Sequence, residues 1–166
     1  NSALTQRIQA LEISAEQGQP EAQFELGNLY IIGGEVTVDL EKTLHWFTLA
    51  GEQSNFNAQY NLGVMYMNGQ GVEIDYEKAV SWFRRAADQG DIVSQYSLGA
   101  MYANGRGVER DLARAYKWFG VAAASGDQNA QANLVLFQEM LCYDQIVDGQ
   151  AMAKEWIEAF EANPDL

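Results

Sequence analysis

The sequence predicts an all-α solenoid of stacked helix pairs, because seven positions recur along the chain at a fixed spacing of 36 residues. In each copy, two segments with helical periodicity flank a short glycine-containing loop. Units of this kind cannot bury their apolar faces alone, so they pack on their neighbours. The recurring residues of the first segment are Ala22, Leu26, Gly27 and Tyr30, then Ala58, Leu62, Gly63 and Tyr66, then Ser94, Leu98, Gly99 and Tyr102. Those of the second segment are Asp39, Trp46 and Phe47, then Asp75, Trp82 and Phe83, then Asp111, Trp118 and Phe119.

The first segment of each copy has the apolar spacing of an amphipathic α-helix. In the copy that begins at Pro20, residues Ala22, Leu26 and Tyr30 fall on one side of a helical wheel. Proline suits the first turn, where its missing N–H would have no helical partner. Glycine inside a helix, as at Gly27, costs about 1 kcal/mol relative to alanine and therefore indicates close packing. The glycines predicted to end these helices with a positive φ are Gly33, Gly69 and Gly105.

The second segment of each copy is predicted to begin at an aspartate. A carboxylate at a helix start accepts hydrogen bonds from free backbone N–H groups and interacts favourably with the positive end of the helix dipole. The three predicted caps are Asp39, Asp75 and Asp111. In the helix after Asp39, Phe47 and Ala50 mark one apolar face and Trp46 an adjacent one. A helix that is apolar on two sides is expected to pack between neighbours.

Both ends of the chain depart from the regular repeat. Leu4–Gln17 is interpreted as the second helix of a truncated preceding repeat. Toward the C-terminus, Val135 stands where the repeat has glycine, and Trp156 follows Trp118 by 38 residues. Terminal units are often atypical because they cap the stack. We therefore predict nine helices in a single domain, 1–166, made of a truncated helix (1–19), three repeats (20–55, 56–91 and 92–127) and a degenerate capping repeat (128–166).

These recurring residues resemble the Sel1-like repeat, a relative of the tetratricopeptide repeat. The match is most complete from Ala58 to Gly90, and residues 22 to about 126 follow the pattern in register. The first copy departs from it at Glu35, where the pattern has a loop glycine, so Gly34 is expected to give that turn its flexibility. The resemblance implies a right-handed α/α superhelical solenoid of Sel1-like repeats, whose concave side is lined by the first helix of each pair.

The 166-residue chain is strongly acidic, with a formal net charge of −13. Residues 1–57 carry eight acidic and two basic residues and 139–166 carry seven and one, whereas 58–138 is nearly balanced. Nucleic acid is not expected as a partner, because binding it needs clustered Lys and Arg that neutralise phosphates. An anionic membrane surface is disfavoured for the same reason. The charge would steer a basic protein partner, or it would only keep a repeat protein in solution.

Other features of composition limit the class of protein. No run of 18 or more apolar residues occurs, so membrane insertion is not expected. Cys142 is the one cysteine, which excludes an intrachain disulfide and a thiolate metal cluster. Residues 1–19 show no signal-peptide pattern, but a processed N-terminus would look the same. A cytoplasmic and a periplasmic or secreted location therefore both stay open.

No catalytic, cofactor-binding or metal-ligating residues are predicted. His45 occupies a repeat position that is otherwise filled by Ser81 and Lys117, and this variability indicates an exposed surface. Cys142 lies 97 residues further along the chain, so a catalytic Cys–His pair is not expected. The acidic run at 73–77 lacks calcium-loop spacing. One local group of basic residues is interpreted as a solvated, ion-paired surface. It consists of Arg84, Arg85, Arg106, Arg110, Arg114 and Lys117.

Positions that vary among the copies are predicted to contact a partner. They lie on the first helices opposite the core stripe, and the resemblance to tetratricopeptide repeats implies that they line the concave groove. Aromatic side chains there would anchor a docked peptide or helix. The predicted partner-binding residues are Phe24, Asn28, Tyr60, Val64, Met67, Asn68, Tyr96 and Asn104. Two alternatives stay open: the aromatic rings pack against the first helix of the next repeat, and the asparagines are turn residues.

The sequence therefore favours a non-catalytic scaffold or adaptor, of bacterial origin and monomeric, that binds a protein or peptide in its concave groove. The alternative is an acidic immunity or inhibitor protein that neutralises a basic toxin, which the net charge motivates. A cell-wall-related enzyme is a third hypothesis. Penicillin binding has been attributed to cysteine-rich members of the family, but this chain lacks their paired cysteines.

Overall fold

The computed structural model describes residues 2–163, and over this range the chain forms α-helices and no β-strand. The nine helices of the described range are α1 (Ser2–Glu16), α2 (Pro20–Ile32), α3 (Leu40–Glu52), α4 (Phe56–Asn68), α5 (Tyr76–Asp88), α6 (Ile92–Asn104), α7 (Leu112–Ala124), α8 (Gln128–Met140) and α9 (Tyr143–Ala162). The all-helical architecture predicted from the 36-residue period is therefore confirmed.

The chain divides into two compact units, Asn1–Asp75 and Tyr76–Leu166. The first unit contains α1 to α4, and the second contains α5 to α9. The boundary lies between the loop after α4 and the first residue of α5. The single domain predicted over 1–166 stays a prediction.

Side-chain caps fix the helix starts. The carboxylates of Asp39 and Asp111 accept hydrogen bonds from the backbone N–H three residues later, at 3.0 and 2.9 Å, as predicted. α2 begins at Pro20, and α5 begins directly after Asp75. The first helices carry caps that the sequence reasoning did not identify. Asn55, Asp91 and Asp127 accept from the N–H of Ala58, Ser94 and Ala130. Each such cap contributes about 1 kcal/mol.

Residues with a positive φ end the helices where glycine was predicted. Gly69 and Gly105 follow α4 and α6 in the left-handed conformation, with φ of 70° and 63°. Gly33 follows α2 with φ of 75°, and Gly34 takes φ of 90° in the altered loop of the first copy. The second helices end in the same way: Gly18, Gly90 and Gly126 have a positive φ, and Ser54, at the equivalent position after α3, takes φ of 68°. The glycines predicted at the ends of the first helices thus have the positive φ expected of them.

In the first unit, α1, α2 and α3 enclose an apolar core. Ala15 of α1 packs with Leu26 and Tyr30 of α2. Phe47 of α3 is fully buried, and a Cβ at Gly27 would lie 2.5 Å from one of its ring carbons. A methyl group does not fit at that distance, so the mid-helix glycine has the packing reason that the sequence predicted.

In the second unit, the same arrangement recurs around Phe119 of α7. Its side chain is 2% exposed. The ring contacts Tyr96 of α6 and Phe137 of α8, with both centroid separations at 5.4 Å. A Cβ at Gly99 would lie 2.7 Å from the same ring. Phe119 therefore joins two consecutive first helices to the second helix between them.

The last helix departs from the pairing seen in α6 and α7. α9 packs along α7, where a Cβ at Gly149 would meet the carbonyl oxygen of Ala113 at 2.8 Å. The rings of Trp118 and Trp156 meet edge to face, with centroids 5.8 Å apart. On α8, Val135 replaces the repeat glycine and is 59% exposed. A valine at this position prevents the close approach of an aromatic ring that glycine allows. The helix α9 packs on α7 instead.

The close approach at Gly99 gives a testable contrast with Gly120. Replacing Gly99 by alanine is expected to lower the free energy of unfolding by about 2 kcal/mol, because the added methyl displaces a buried ring. Gly120→Ala, inside α7, is expected to leave it unchanged or raise it by up to about 1 kcal/mol, since its Cβ would meet only Ala153, at 3.4 Å. Urea unfolding followed by circular dichroism measures both variants. Equal losses would contradict this explanation of the repeat glycine.

Candidate functional site

The accessible side of the first helices is formed by the positions that vary among the copies. We call it the variable face: positions 24, 28, 31 and 32 with their equivalents 36 and 72 residues later. Positions 24, 28 and 31 and their equivalents are half-buried, and position 32 and its equivalents are exposed. The repeated positions 22, 26 and 27 and their equivalents are all buried, and the repeated tyrosine is buried at Tyr30 and Tyr102 and half-buried at Tyr66. The varying positions are therefore more accessible than most of the repeated positions on the same helices.

In the first unit, the variable face consists of side chains from α2 and α4. Phe24 stacks on Phe47 of α3, with ring centroids 5.6 Å apart and an interplanar angle of 26°. This contact is with the second helix of its own repeat, and Phe24 remains half-buried. The other predicted residues in this unit are Asn28, Tyr60, Val64 and Met67, which are half-buried, and Asn68, which is exposed.

In the second unit, Tyr96 contacts both helices that follow it. Its ring lies against Phe119, and its hydroxyl accepts a hydrogen bond from Nδ2 of Asn133 at 3.2 Å. Asn133 belongs to the next first helix, so this tyrosine has the neighbour contact that the alternative interpretation described. The exposed amide of Asn104 donates to the carbonyl oxygen of Ala100 at 2.9 Å, a bond within its own helix. Partner binding by all eight residues stays a prediction.

A row of glutamines that the sequence reasoning missed holds the first helices in place. In each case the side-chain amide donates to the backbone carbonyl eight residues earlier, in the last turn of the preceding second helix. The bonds run from Gln23 to Ala15 (3.1 Å), Gln59 to Gly51 (2.8 Å), Gln95 to Ala87 (3.2 Å) and Gln131 to Ala123 (3.3 Å). The first three side chains are buried, so these bonds are shielded from water. Glutamine at all four positions of the 36-residue period was the signal available in the sequence.

The predicted basic surface is only partly ion-paired. Arg114 forms an ion pair with Asp111 at 3.6 Å. Other cations of the group lie over aromatic rings: Arg85 over Trp82, Arg106 over Tyr76 and Lys117 over Trp118, at 4.5, 5.7 and 4.4 Å from the ring centroids. Cation–π contacts are therefore present on this surface in addition to the ion pairs that were predicted.

Lys117 is the one basic residue of the group with a distinct pKa. Burial lowers the pKa of its amine below the ordinary value, and the nearby carboxylates of Asp88 and Glu155 oppose this shift. The positive charges of Arg84 and Arg114 lower it further. Burial of the amine is therefore the main reason that its pKa is lowered.

The residues considered for chemistry belong to different units. His45 is exposed on α3 in the first unit, and Cys142 is exposed at the start of α9 in the second. Among residues 2–163, no group of three or more His, Cys, Asp or Glu side chains is arranged to hold a metal ion. No helix in the described part of the chain is both long and apolar enough to cross a bilayer.

The profile of the Sel1 repeat matches residues 20–55, 57–91 and 92–127. Among solved structures, the chain is similar to a Sel1 repeat protein from Oxalobacter formigenes, at 37% identity and a TM-score of 0.72. That match covers 77% of this chain and 96% of the other. No functionally curated protein matches the chain.

Two further structures have similar folds. One is c5321, a protective antigen present in uropathogenic Escherichia coli strains and displaying an SLR fold, at 27% identity and a TM-score of 0.62. The match covers 95% of this chain but 42% of that longer one. The other is Helicobacter pylori cysteine rich protein B, at 24% identity and a TM-score of 0.62, covering 80% of this chain and 95% of that chain. At this identity the last comparison concerns the fold alone.

Proposed function

Because this chain belongs to the Sel1 repeat family, we propose that it is a non-catalytic scaffold that binds a protein or peptide on its variable face. Sel1 repeat folds typically act as scaffolds for protein interaction. The observation that carries the proposal is the match between variation and accessibility on the first helices. Residues that differ among copies of one repeat are less constrained by the shared packing, and a partner can reach the parts of them that are exposed.

The chemistry of the variable face suits a peptide or a helix. Its half-buried aromatic residues Phe24, Tyr60 and Tyr96 each leave part of a ring for a partner to cover. The exposed amides of Asn68 and Asn104 lie at the C-terminal ends of α4 and α6. Amide side chains can both donate to and accept from a peptide backbone. Apolar anchors beside such amides are typical of peptide recognition.

A binding role also agrees with the chemistry of the remaining residues. Sel1 repeat proteins are generally non-catalytic. In this chain the histidine and the cysteine belong to different units. Each is exposed. We therefore assign no reaction to the protein.

Peptides selected from a random displayed library on the full chain provide the test. We expect Tyr60→Ala and Tyr96→Ala each to weaken binding of a selected peptide by about tenfold, the effect of removing an aromatic anchor. His45→Ala, on the exposed side of a second helix, is the control and should leave the affinity unchanged. Unchanged affinity in both tyrosine variants, with their helical content intact, would refute the assignment of the variable face.

A second candidate function is favoured by the charge. An immunity or inhibitor role toward a basic toxin would draw on the net charge of −13. Association would then slow steeply as salt is raised, because screening removes electrostatic steering. An association rate that does not change with salt, for a partner that binds the variable face, would leave the scaffold role and exclude charge-driven neutralisation.

A further inference from the structure

The second unit contains a polar cavity of about 350 Å³ that has no place in the proposed function. We call it the basic cavity. It is lined chiefly by Arg84, Asp88, Tyr102, Arg114, Lys117 and Trp118. Tyr102 and Trp118 are almost fully buried, at 6% and 4% exposure, so the cavity has an aromatic floor. Charged groups above such a floor interact more strongly than they would in open solvent.

Two cations of the basic cavity, Arg84 and Lys117, do not recur with the repeat, whereas Arg114 stands where the other copies have Lys42 and Lys78. Arg84 comes from α5, and Arg114 and Lys117 lie three residues apart on one face of α7. Positions equivalent to Arg84 in the neighbouring copies are Thr48 and Gly120. The positions equivalent to Lys117 are His45 and Ser81. The repeat therefore accounts for Arg114, whereas Arg84 and Lys117 are each particular to one copy.

Aromatic side chains, more than carboxylates, hold these cations. A guanidinium N–H of Arg84 donates to the Tyr102 hydroxyl. Arg114 also lies over the Tyr102 ring, at 5.9 Å from its centroid. The Lys117 amine lies 4.4 Å from the centroid of Trp118 and, within the described chain, makes no ion pair within 4.0 Å. Contacts with ring faces leave N–H donors available to a ligand.

The carboxylates of Asp88, Asp111 and Glu155 lie near these cations. Asp88 is the one acidic residue that lines the basic cavity, and its carboxylate already accepts a hydrogen bond from Nε1 of Trp156 at 3.3 Å. Asp111 pairs with Arg114 from the outer side, at 3.6 Å. Burial is the main cause of the lowered pKa of Lys117, and the carboxylates of Asp88 and Glu155 oppose it.

We propose that the basic cavity binds an oxyanion, the carboxylate or phosphate group of a small ligand, between Arg84, Arg114 and Lys117. Guanidinium groups present paired N–H donors that match both kinds of oxyanion, and an ammonium adds a point charge. This site is separate from the variable face, so its failure would leave the proposed function intact.

Titration with inorganic phosphate and with succinate, at constant ionic strength and pH, tests the site by calorimetry. We expect saturable binding of at least one of them to the wild-type chain. Lys117→Met is expected to weaken that binding by about tenfold, since it removes one charge-assisted contact. Lys154→Met is the matched control, because Lys154 is exposed on α9 and pairs with Glu158 at 3.7 Å. Arg114→Gln, at a more exposed position, gives a second test should Lys117→Met fold poorly.

The titration of the Lys117 amine gives an independent readout. Its pKa is expected to rise when the anion binds, because a neighbouring negative charge favours the protonated form. NMR detection of the lysine side chains in the presence and absence of phosphate or succinate measures this shift. The proposal is overturned if neither anion binds saturably, or if Lys117→Met and Lys154→Met bind equally well. Preference between the two anions shows whether the site takes a tetrahedral or a planar group.

Discussion

Replacing Phe119 by alanine is expected to lower the free energy of unfolding by about 4 kcal/mol, the loss typical of a fully buried phenylalanine. The ring fills the space between three helices, where it contacts Tyr96 and Phe137. Its edge also occupies the position beside Gly99 where a methyl group would not fit. Neither α6 nor α8 can fill the resulting cavity without shifting along α7. The lost hydrophobic transfer free energy of the ring and the cost of the cavity therefore add.

Urea unfolding followed by circular dichroism measures this effect, with two variants for comparison. Phe119→Leu keeps most of the buried volume and should cost about 1 to 1.5 kcal/mol. Tyr143→Ala removes an aromatic side chain that is 79% exposed, so it should change the free energy of unfolding by less than about 0.5 kcal/mol. A loss below about 1 kcal/mol for Phe119→Ala would mean that α7 does not organise this core.

The helices and their ends could be predicted because each is specified by local chemistry that recurs. Asp39 and Asp111 cap helices whichever residues follow them, and Gly69 and Gly105 supply the positive φ that the turn needs. Even Ser54 obeys this rule, since the backbone takes the left-handed conformation where glycine is missing. Comparing copies within one chain was enough to separate these constraints from positions that are free to vary.

Features that depend on contacts between distant segments could not be predicted in the same way. The sequence showed that Val135 breaks the pattern but not that α9 would pack along α7. The buried glutamines recur as regularly as the leucines, yet their bonds to carbonyl groups of the preceding helix became clear only from the distances. Arg84 and Lys117 belonged to a predicted basic group. The aromatic floor of the basic cavity, on which these cations lie, is formed by Tyr102 and Trp118. The repeat pattern assigns both residues to the core.

The variable face and the basic cavity illustrate two ways in which a repeat gains specificity. On the variable face, equivalent positions differ in residue type while keeping the same degree of burial. In the basic cavity, Arg84 on α5 and Lys117 on α7, which are unlike their equivalents, lie together with Arg114. The residues of the variable face can be identified by aligning the copies, because they occupy equivalent positions. The residues of the basic cavity cannot be identified in this way, because their proximity depends on which copies are neighbours.

Gly107 is the position where alanine should be tolerated least. It takes φ of 70°, and a Cβ there would lie 2.1 Å from the carbonyl oxygen of Tyr76. That oxygen belongs to the backbone at the start of α5, so no side-chain rotation can relieve the clash. In the first unit, Gly71 approaches Leu40 at the start of α3 in the same way. The loop after each of these first helices thus rests on the second helix of the preceding repeat, and the contact requires glycine.

Gly107→Ala is therefore expected to lower the free energy of unfolding by about 4 kcal/mol, combining left-handed strain with displacement of a helix end. Gly126→Ala is the matched control: it has φ of 98°, but a Cβ there would meet nothing within 4 Å. It should show the conformational cost alone, about 1 to 2 kcal/mol. Urea unfolding of both variants separates the two contributions. If both variants lost the same free energy of unfolding, glycine would be required at position 107 only for its positive φ. The contact with Tyr76 would then contribute nothing to the packing of adjacent repeats.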